Sequence, residues 1–518
     1  MTRGAGMKFV IGTNEIIREL SGNKRFICFG SGILLKALCQ NTGITEFIDA
    51  IADNNDALWG TTAEIDGIKI IHINPKEIKN LLTDRHVLLI TTTYYKQLQE
   101  QLSKELSLNA ELAYYFPSAE DMRFEEYAKG HAEEPLKDLI VFRSGLAKYV
   151  EGFDFSDNAK ALFEYMLDRG YHKKYKLLWM VKEPDGYSEY SDINNVEFIS
   201  YDWEYEDNKE LSDRYFDAIY FAKYFFFTDS HFWLRNCRNG QVRINLWHGC
   251  GFKDRKTKNG PCGKNYDFMT VNSDTYADIH AVEFGCSREQ MLVTGLAKQD
   301  WLFQGLSSPI NEFLKIPKTD KYIFWLPTFR MAVDGLERLN EYILESETGL
   351  PVVTTEAAMN KLDIILETLN ISLIIKLHPV QDNSLISHKK YNKIFVLDNK
   401  TLTSMDYHIN SLLSQADAII SDYSSVAVDF LLTDKPIGFL LDDVEEYEMS
   451  RGFVFHPIKN YLPGKKIYNF EQLTEFIREI SLGLDSSKTL RHSLMKIFHA
   501  YRDGNNCERI LQQIGLEK

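Results

Sequence analysis

This 518-residue chain lacks the sequence patterns that identify secreted, membrane-spanning, zinc-binding and disulfide-rich proteins. Its first residues hold no apolar core followed by a small-residue cleavage site, so we expect no secretory leader. No run approaches the roughly 18 apolar residues that a membrane-spanning helix needs. The seven cysteines are odd in number and form no C-x-x-C pair, which argues against structural zinc and against a disulfide framework. These absences predict a cytoplasmic protein with reduced thiols.

Two motifs of phosphate chemistry are also absent. The chain has no G-x-x-x-x-G-K-[ST] sequence, which excludes a P-loop. It has no D-x-D sequence, so a pyrophosphate bridged to a metal ion is unsupported, and we expect neither a metal nor a cofactor. Any phosphate bound here would have to be neutralised by cationic side chains and helix ends of the protein itself.

Charge and length narrow the class further. The formal net charge is −15, whereas general nucleic-acid binders carry a basic surplus, so we expect no nucleic-acid partner. Hydrophobic residues make up 44% and charged residues 26%, which is an ordinary globular composition. Because protein domains typically contain roughly 100–200 residues, a chain of this length should form about three domains.

Residues 1–125 are predicted to form a small Rossmann-like α/β domain. Apolar strands alternate with helical segments, as in "KRFICFGSGILLKALC" and "HVLLITTT". Gly30, Gly32 and Asp53 imitate a dinucleotide fingerprint, but its third glycine is missing. A tight turn without any ligand explains these glycines equally well, and the sequence leaves both interpretations open.

The rest of the chain is predicted to form two further α/β domains. After a charged connector at residues 126–138, apolar strands and helices continue through residues 139–310 and again through residues 311–518. The strands are near-continuous apolar runs, which is typical of parallel sheets covered on both faces. Two such domains in tandem leave a cleft between them.

Four strands in these two domains end at polar or charged residues. The segments "NLWHG", "IFWLPTFR", "IIKLHP" and "AIISDYSS" carry His248, Arg330, Lys376, His378 and residues 421–425. Ligands of open parallel sheets bind beyond the carboxyl ends of the strands, so we expect all four to face one cleft. Taken singly, each has a structural alternative, because a histidine can pack or cap, an arginine can form an ion pair, and a serine can cap a helix.

The turn "SDYSS" precedes a short apolar helix and is a candidate phosphate site. A helix start exposes unpaired N–H groups, and Ser424 and Ser425 add two hydroxyls. At another strand end, "HGCGFKDRK" places a basic loop directly behind His248. We expect this loop to guide an anionic substrate.

Together these motifs resemble the CDP-glycerol glycerophosphotransferase family, which includes teichoic acid primases and polymerases. The resemblance covers roughly residues 140–510 and rests on "NLWHGCGFKDRK", "TGLAKQDWL", "LPTFR", "IIKLHP" and "ADAIISDYSS". It implies the GT-B fold, in which two Rossmann-like domains face a cleft. It also implies transfer of glycerol phosphate from CDP-glycerol to a lipid-linked or polymeric glycan acceptor, with release of CMP.

The resemblance assigns roles to individual residues. His248 matches the histidine of the His-Gly motif and is expected to be the general base, whereas His378 matches that of the His-Pro motif and is expected to stabilise charge on the phosphates. Substrate binding is implied for a further set, namely Lys253, Arg330, Lys376, Ser421, Asp422, Ser424, Ser425 and Asp429. Family members often have Thr-Pro-Leu-Lys after His-Gly, whereas this chain has Cys-Gly-Phe before its lysine. That departure concerns acceptor specificity more than the reaction.

Residues 1–125 lie outside this resemblance. They look like the small Rossmann-like domains that precede some sugar acyltransferases and capsule enzymes, which implies an accessory role in surface-polymer synthesis. The chain as a whole is therefore predicted to be a GT-B phosphotransferase that builds a teichoic acid-like or capsule polymer.

Alternatives to this prediction stay open. The donor could be CDP-ribitol, the enzyme could be a GT-B glycosyltransferase that uses a nucleotide sugar, or the chain could be a non-catalytic scaffold of capsule assembly. Lipid-linked acceptors imply at most a peripheral contact with the inner face of the cell membrane, because a net charge of −15 offers no broad basic face.

Overall fold

The computed structural model describes most of the chain, namely residues 8–9, 24–92, 98, 101–108, 113–115, 124, 127–144, 154–201, 209–228, 238–254, 266–328, 346–377, 390–397, 402 and 408–518. These residues form two compact units, one up to Glu134 and one from Pro135 onwards. The division falls inside the stretch predicted as a connector. Within the described ranges, no helix is both long and apolar enough to cross a lipid bilayer.

The first unit contains one seven-stranded sheet. Its strands are β1 (Lys8–Phe9), β2 (Arg25–Phe29), β3 (Ile48–Ala52), β4 (Thr62–Ile65), β5 (Ile68–Ile73), β6 (His86–Ile90) and β7 (Ala113–Tyr115). Its helices include α1 (Ile33–Thr42) and α2 (Ile78–Leu81). The strand order is β1-β7-β6-β2-β3-β5-β4, and every pair is parallel except β4 with β5. Because β2 lies between β3 and β6, the unit has the predicted Rossmann-like arrangement.

The turn after β2 requires a glycine. Gly30 has a φ of +110°, and a β-carbon there would lie 3.0 Å from the carbonyl oxygen of Thr91. One carboxylate oxygen of Asp53 accepts hydrogen bonds from the main-chain N–H of Ser31 at 3.1 Å and from its hydroxyl at 2.6 Å. The other oxygen accepts from the N–H of Asn55 at 2.9 Å. Close packing and internal hydrogen bonds thus account for Gly30 and Asp53, which favours the interpretation of a tight turn.

The second unit contains two fully parallel sheets. The first, which we call sheet N, comprises β8 (Lys137–Ser144), β9 (Lys176–Val181), β10 (Val196–Ser200), β11 (Ala222–Thr228), β12 (Val242–Asn245), β13 (Phe268–Val271) and β14 (Met291–Val293). Its strand order is β10-β9-β8-β11-β12-β13-β14. The second, sheet C, comprises β15 (Lys321–Leu326), β16 (Ile371–Ile375), β17 (Ile394–Val396), β18 (Ala418–Ser421), β19 (Ile437–Leu440) and β20 (Lys465–Ile467). Its order is β17-β16-β15-β18-β19-β20.

Helices cover these two sheets. The described ones are α3 (Asp157–Asp168), α4 (Lys209–Phe221), α5 (Asp274–Phe284), α6 (Trp301–Gln304), α7 (Ile310–Leu314), α8 (Glu356–Thr368), α9 (Ile409–Leu413), α10 (Ser425–Phe430), α11 (Val444–Ser450), α12 (Phe470–Ser481), α13 (Lys488–Phe498) and α14 (Asn506–Gln513). All five residues of β16 are buried, as the apolar run "ISLII" predicts for a strand covered on both faces. The predicted α/β class with parallel sheets is confirmed.

Strand β8 was not predicted, although it lies in the middle of sheet N between β9 and β11. It begins at Lys137, inside the stretch predicted as a connector. Only its residues 139–142 form an apolar run, and all four are buried. Periodicity alone cannot distinguish an apolar run this short from a buried helix segment. The central place of β8 in the sheet comes from pairing with β9 and β11, which lie further along the chain.

The C-terminal helix α14 returns to sheet N, although residues 311–518 were predicted to form the other domain. Ile510 and Leu511 are buried in the core of sheet N. The carboxylate of Asp300, which lies after β14, accepts hydrogen bonds from the N–H groups of Asn506 at 2.9 Å and Cys507 at 2.8 Å. This carboxylate therefore fixes the start of α14 against the sheet N half.

Candidate active site

His248 lies just beyond the carboxyl end of β12. The preceding Trp247 has a φ of +53°, a conformation that a bulky residue adopts only when its surroundings impose it. Its N–H donates to Oδ1 of Asn245 at 2.9 Å, and its carbonyl accepts from Nδ2 of Asn158 at 2.7 Å. The indole ring packs edge-on against Phe284, with the ring centroids 4.7 Å apart. Two asparagine side chains and a ring contact thus hold the main chain that leads into His248.

The loop after His248 lies against the start of α10. A β-carbon at Gly249 would be 2.7 Å from the hydroxyl oxygen of Ser425, and one at Gly251 would be 3.1 Å from its β-carbon. Real β-carbons essentially never approach another atom as closely as the contact at Gly249, and the contact at Gly251 would be unusually tight. The loop therefore needs glycines at both positions. Because Ser425 follows β18, the ends of a sheet N strand and a sheet C strand meet at this point.

Lys253 continues the same loop along the sheet C half. The main chain around it pairs with the segment after α11, through hydrogen bonds from Asp254 N–H to the Gly452 carbonyl at 3.1 Å and from Val454 N–H to the Phe252 carbonyl at 2.9 Å. The ammonium of Lys253 lies 5.6 Å from the centroid of the Tyr447 ring. The other cations of the basic loop, at positions 255, 256 and 258, lie outside the described residues.

A buried ammonium lies beneath the His248 loop. Lys298, in the 3-10 turn Ala297–Asp300, donates from Nζ to the carbonyl oxygen of His248. The same Nζ lies 3.0 Å from Oδ1 of Asp157 and 3.9 Å from Oδ2 of Asp429. Burial lowers the pKa of this ammonium, but the two carboxylates outweigh burial, so its pKa lies above the ordinary value. Lys298 therefore stays charged at neutral pH.

Asp429 faces this cluster from α10. Its carboxylate is buried, accepts a hydrogen bond from Nε2 of Gln299 at 2.7 Å, and faces Lys298. Burial raises the pKa of Asp429 by more than Lys298 and Gln299 lower it, so the net shift is upward. The predicted substrate-binding residue Asp429 is thus engaged inside the protein, and it joins the sheet C half to the turn of Lys298.

Two further residues predicted to bind substrate are also buried. The hydroxyl of Ser421 donates to the carbonyl of Leu326 at 2.9 Å. Both carboxylate oxygens of Asp422 accept from the N–H of Thr328, at 3.0 and 2.9 Å, and one also accepts from its hydroxyl at 2.6 Å. These bonds tie the end of β18 to the end of β15. They place the "LPT" segment beside the "SDYSS" turn.

Ser424 and Ser425 stand at the start of α10 and are half-buried. Ser424 is the N-cap residue, with extended backbone angles, and its side chain makes no capping hydrogen bond to the helix. Tyr423, in contrast, is fully buried and donates its hydroxyl proton to Oδ1 of Asp443 at 3.0 Å. The turn therefore buries its tyrosine, whereas Ser425 lies against the His248 loop.

Lys376 follows β16 and is half-buried. Its N–H donates to the Trp325 carbonyl at 2.9 Å, and its ammonium donates to the Leu377 carbonyl at 3.0 Å. The residues Arg330 and His378, predicted for phosphate contacts and catalysis, lie outside the described residues. Among the residues that are described, no group of three or more His, Cys, Asp or Glu side chains could hold a metal ion.

His408 was not predicted from the sequence. It precedes α9, and its Nδ1 accepts a hydrogen bond from the N–H of Asn410 at 3.2 Å, which leaves the proton of the neutral ring on Nε2. Burial, and then the positive charges of Lys298, Lys160 and Lys376, hold the pKa of His408 well below its ordinary value. The imidazole of His408 is therefore neutral at neutral pH.

The sequence offered little signal for the supporting residues. Asn158 stands in a segment interpreted only as a helix, and Lys298 stands in "TGLAKQDWL", which was quoted for the family resemblance without a role. Asn158 donates to the carbonyl of Trp247, 89 positions away in the chain, and Lys298 donates to the carbonyl of His248, 50 positions away. Contacts of that kind follow from the fold and not from a local pattern.

The sequence profile of the family described as CDP-Glycerol:Poly(glycerophosphate) glycerophosphotransferase matches residues 130–516. The chain belongs to this family. The match spans both sheets of the second unit and leaves almost all of the first unit outside. The family predicted from the motifs around His248 and Ser425 is therefore confirmed.

Curated relatives are enzymes of teichoic acid synthesis by name. The chain is 30% identical over 312 residues to the teichoic acid glycerol-phosphate primase of Bacillus subtilis (strain 168), covering 55% of this chain and 72% of that protein. It is 25% identical over 405 residues to the teichoic acid glycerol-phosphate transferase of Staphylococcus aureus (strain NCTC 8325 / PS 47), covering 73% and 93%. It is 25% identical over 311 residues to the ribitol-phosphate polymerase TarK of that strain, covering 57% of this chain and 56% of TarK. The chain thus spans only about half the length of TarK.

Solved structures of the wall teichoic acid polymerase TagF share the fold. One aligns with a TM-score of 0.55 at 20% identity and covers 82% of this chain and 97% of TagF. Another, from a TagF variant soaked with CDPG, aligns with a TM-score of 0.55 at 18% identity. The predicted GT-B type of fold is confirmed.

Proposed function

We propose that this protein transfers an alditol phosphate, with glycerol phosphate as the first choice, from its CDP-activated form to a hydroxyl of a glycan or polyol-phosphate acceptor and releases CMP. The observation that carries the proposal is the contact between the His248 loop and the start of α10. It brings the loop that carries His248, from sheet N, against Ser425 at the start of a sheet C helix, so that a base and a hydroxyl donor stand on contacting segments. Transfer of a phosphoryl group to a hydroxyl needs these two features, a base for the hydroxyl and donors for the phosphates.

His248 is the proposed general base. Imidazole is the side chain that gains and loses a proton nearest neutral pH, so it can accept the proton of an incoming hydroxyl. The glycines on either side of Cys250 keep the loop against Ser425, where the phosphates of a donor would lie. The hydroxyl and the phosphorus atom would then approach each other between the two sheets.

The donor phosphates are proposed to bind at the strand ends of sheet C. Ser424 and Ser425 supply hydroxyls, and Lys376 supplies a positive charge at the end of β16, which is separated from β18 by β15. Ser421, Asp422 and Asp429, which were predicted to bind substrate directly, support this site through the buried hydrogen bonds described above. Arg330, His378 and Lys253 complete the proposed set of substrate contacts on the strength of the family motifs.

The choice between glycerol and ribitol rests on the relatives. The relative with 30% identity is a glycerol-phosphate primase by name, and the relative aligned over most of its length is a glycerol-phosphate transferase. TarK and TarL, in contrast, are ribitol-phosphate polymerases by name, and the chain spans about half of each. CDP-glycerol is therefore the first candidate and CDP-ribitol the second.

Release of CMP tests the proposal directly. Purified protein is incubated with poly(glycerol phosphate) as acceptor and with CDP-glycerol, CDP-ribitol, UDP-glucose or UDP-N-acetylglucosamine, and the free nucleotide is quantified by chromatography. We expect CMP from CDP-glycerol and little or no UDP from either sugar nucleotide. UDP release without CMP would identify a glycosyltransferase, and release of neither nucleotide would favour the non-catalytic scaffold. More CMP from CDP-ribitol than from CDP-glycerol would keep the reaction and change the donor.

The product belongs, in this proposal, to a teichoic acid-like or capsule polymer, and its acceptor is a lipid-linked or polymeric glycan. A peripheral contact with the inner face of the membrane is part of the same proposal. Pelleting the protein with vesicles that carry a polyprenyl-linked glycan, against vesicles without it, tests that contact. Equal recovery with both kinds of vesicle would contradict a contact made through the acceptor.

A further inference from the structure

We propose that Lys298 is a positioning residue that holds His248 in place for catalysis. This inference rests on the proposed function, because it assigns the ammonium of Lys298 a role in orienting the proposed general base. The ammonium of Lys298 is buried beneath the loop and is bonded to the carbonyl of His248, so the proposed role is exerted through the main chain of His248.

The ammonium joins three separate segments. It donates to the carbonyl of His248 in the loop after β12, pairs with Asp157 at 3.0 Å in the first turn of α3, and lies 3.9 Å from Asp429 on α10. Its side chain is only 10% exposed. A charge-assisted hydrogen bond in a buried site is strong and directional, so it fixes the peptide plane between His248 and Gly249.

The main chain of Lys298 is held to the same loop. Its N–H donates to Oδ1 of Asn158 at 3.0 Å, and Nδ2 of Asn158 donates to the carbonyl of Trp247 at 2.7 Å. The carbonyl of Lys298 accepts from Nδ2 of Asn410, on the sheet C side, at 3.2 Å. Lys298 and Asn158 therefore hold the carbonyls of two successive residues, Trp247 and His248.

This arrangement matters for the position of the imidazole. Trp247 already has an unfavourable φ of +53°, and its surroundings must hold it there. The carbonyl of His248 belongs to the peptide group that follows this residue. The bond from Lys298 therefore fixes the main chain on the C-terminal side of His248, as Trp247 fixes it on the N-terminal side. If the bond from Lys298 is lost, the loop can relax around both residues, and a shift of about 1 Å at a catalytic group costs on the order of 10²-fold in rate.

The test must distinguish the effect of losing a buried charge on folding from the effect of Lys298 on the position of His248. Removing Lys298 alone leaves Asp157 and Asp429 buried without their cation, which destabilises the fold for a reason unrelated to catalysis. Lys298→Met combined with Asp157→Asn removes one charge of each sign and leaves the net charge of the cluster unchanged. Lys298→Arg keeps the positive charge and hydrogen-bond donors.

A matched control is available in the same unit. The ammonium of Lys435 also donates to two main-chain carbonyls, those of Ser414 at 2.9 Å and Ala416 at 2.6 Å, which follow α9. Lys435→Met therefore removes a partly buried lysine with similar bonds from a place outside the proposed site. We expect its kcat to remain within about twofold of the wild-type value at a temperature where it is folded.

The kinetic experiment measures kcat for CMP release from CDP-glycerol and, by calorimetry, the Kd of CDP-glycerol. We expect Lys298→Met/Asp157→Asn to lower kcat by about 10–100-fold while the Kd changes by less than about threefold. Lys298→Arg should recover kcat to within about threefold of wild type. A folded double variant with wild-type kcat overturns the proposal, as does an equal loss of kcat and affinity, or a Lys298→Arg protein as slow as the double variant.

A second measurement does not depend on activity. In protein labelled with 5-fluorotryptophan, the fluorine resonance of Trp247, assigned with Trp247→Phe, reports on the main chain next to His248. We expect this resonance to shift or broaden in the double variant and to stay unchanged in Lys435→Met. An unchanged resonance in both overturns the positioning role. If the wild type releases no CMP, the proposed function fails, and the fluorine experiment still decides whether Lys298 positions the loop.

Discussion

A β-carbon on Gly249 would lie 2.7 Å from the hydroxyl oxygen of Ser425, so the two residues meet where only a glycine leaves room. Gly249 follows the proposed base, and Ser425 opens the helix proposed to bind phosphate. The sheet N and sheet C halves of the second unit are thus in direct contact at their proposed functional residues. The distance between base and phosphate depends on this glycine.

Gly249→Ala should therefore slow the reaction more than it destabilises the fold. The added methyl group would have to push the loop from α10 by several tenths of an ångström, because it meets both the oxygen and the β-carbon of Ser425. We expect kcat for CMP release to fall by at least about tenfold, and the melting temperature to fall by only a few degrees. Gly186→Ala is the control, since a β-carbon there meets nothing within 4 Å. Equal activity of the two variants would show that the contact does not set the geometry of the site.

Much of the fold could be predicted because the strands of the second unit are buried on both faces. "KLLWMV", "ISLII" and "AIIS" are apolar except for one lysine or serine each, and each forms the strand that its pattern indicates. Strand β8 escaped prediction because only its residues 139–142 are apolar. The return of α14 to sheet N could not be predicted either, since its contact with Asp300 joins residues more than 200 positions apart.

The candidate site likewise contains some residues that the sequence reveals and others that only the fold brings into place. His248 and Ser425 could be found because each stands at a visible break between an apolar strand and polar residues. Lys298, Asn158 and His408 could not, because their roles depend on which carbonyls and charges the fold brings beside them. Asp422 was recognised as part of a motif, but its bonds to Thr328 show that it fixes the turn from inside.

The two histidines of the family motifs should differ in their effects. His248→Ala should lower the rate by roughly 10²–10⁴-fold, the range for loss of a positioned base, with nearly unchanged binding of CDP-glycerol. His378→Ala should weaken donor binding as well as slow turnover, because that residue is proposed to contact the phosphates. Calorimetric titration of both variants with CDP-glycerol measures the difference. Loss of donor affinity in His248→Ala with affinity retained in His378→Ala would reverse the two roles.

Catalysis should not require a divalent metal. The chain lacks a D-x-D motif, and the phosphates are proposed to be neutralised by Arg330, Lys376 and the start of α10. We expect CMP release to retain most of its rate in about 5–10 mM EDTA. This concentration of chelator is well above that of any carried-over metal, which is on the order of micromolar. Activity that disappears in EDTA and returns with magnesium or manganese would refute the metal-free site.

The first unit should be dispensable for donor turnover. The family match begins at residue 130, and all the described residues of the proposed site belong to the second unit. A truncated protein that starts at residue 130 should therefore bind CDP-glycerol with the Kd of the full chain, provided that circular dichroism shows it to be folded. Folded truncated protein without donor affinity would place part of the donor site in residues 1–129.

The stability of the second unit should fall in mild acid because of His499. This residue is buried, and its Nε2 donates to the carbonyl of Val428 on α10 at 2.7 Å, whereas Nδ1 has no hydrogen-bond partner among the described residues. Burial is the main cause that lowers the pKa of His499 from 6.5 to about 4, since protonation would bury a charge and an unpaired N–H. The unfolded chain takes up this proton near pH 6.5 and the folded chain only near pH 4. The contribution of His499 is therefore complete above pH 6.5 and is lost as the pH falls toward 4, by up to about 3 kcal/mol.

Melting temperatures measured at intervals from pH 7.5 to pH 4.5 test this sign. We expect the wild type to lose stability steadily below pH 6.5, and His499→Gln, which cannot take up the proton, to show a shallower slope over the same range. His492→Gln is the control, because His492 is exposed and pairs with Asp434 on the surface. A wild-type slope in His499→Gln would mean that other groups account for the acid sensitivity, and that His499 does not couple protonation to the packing of α10.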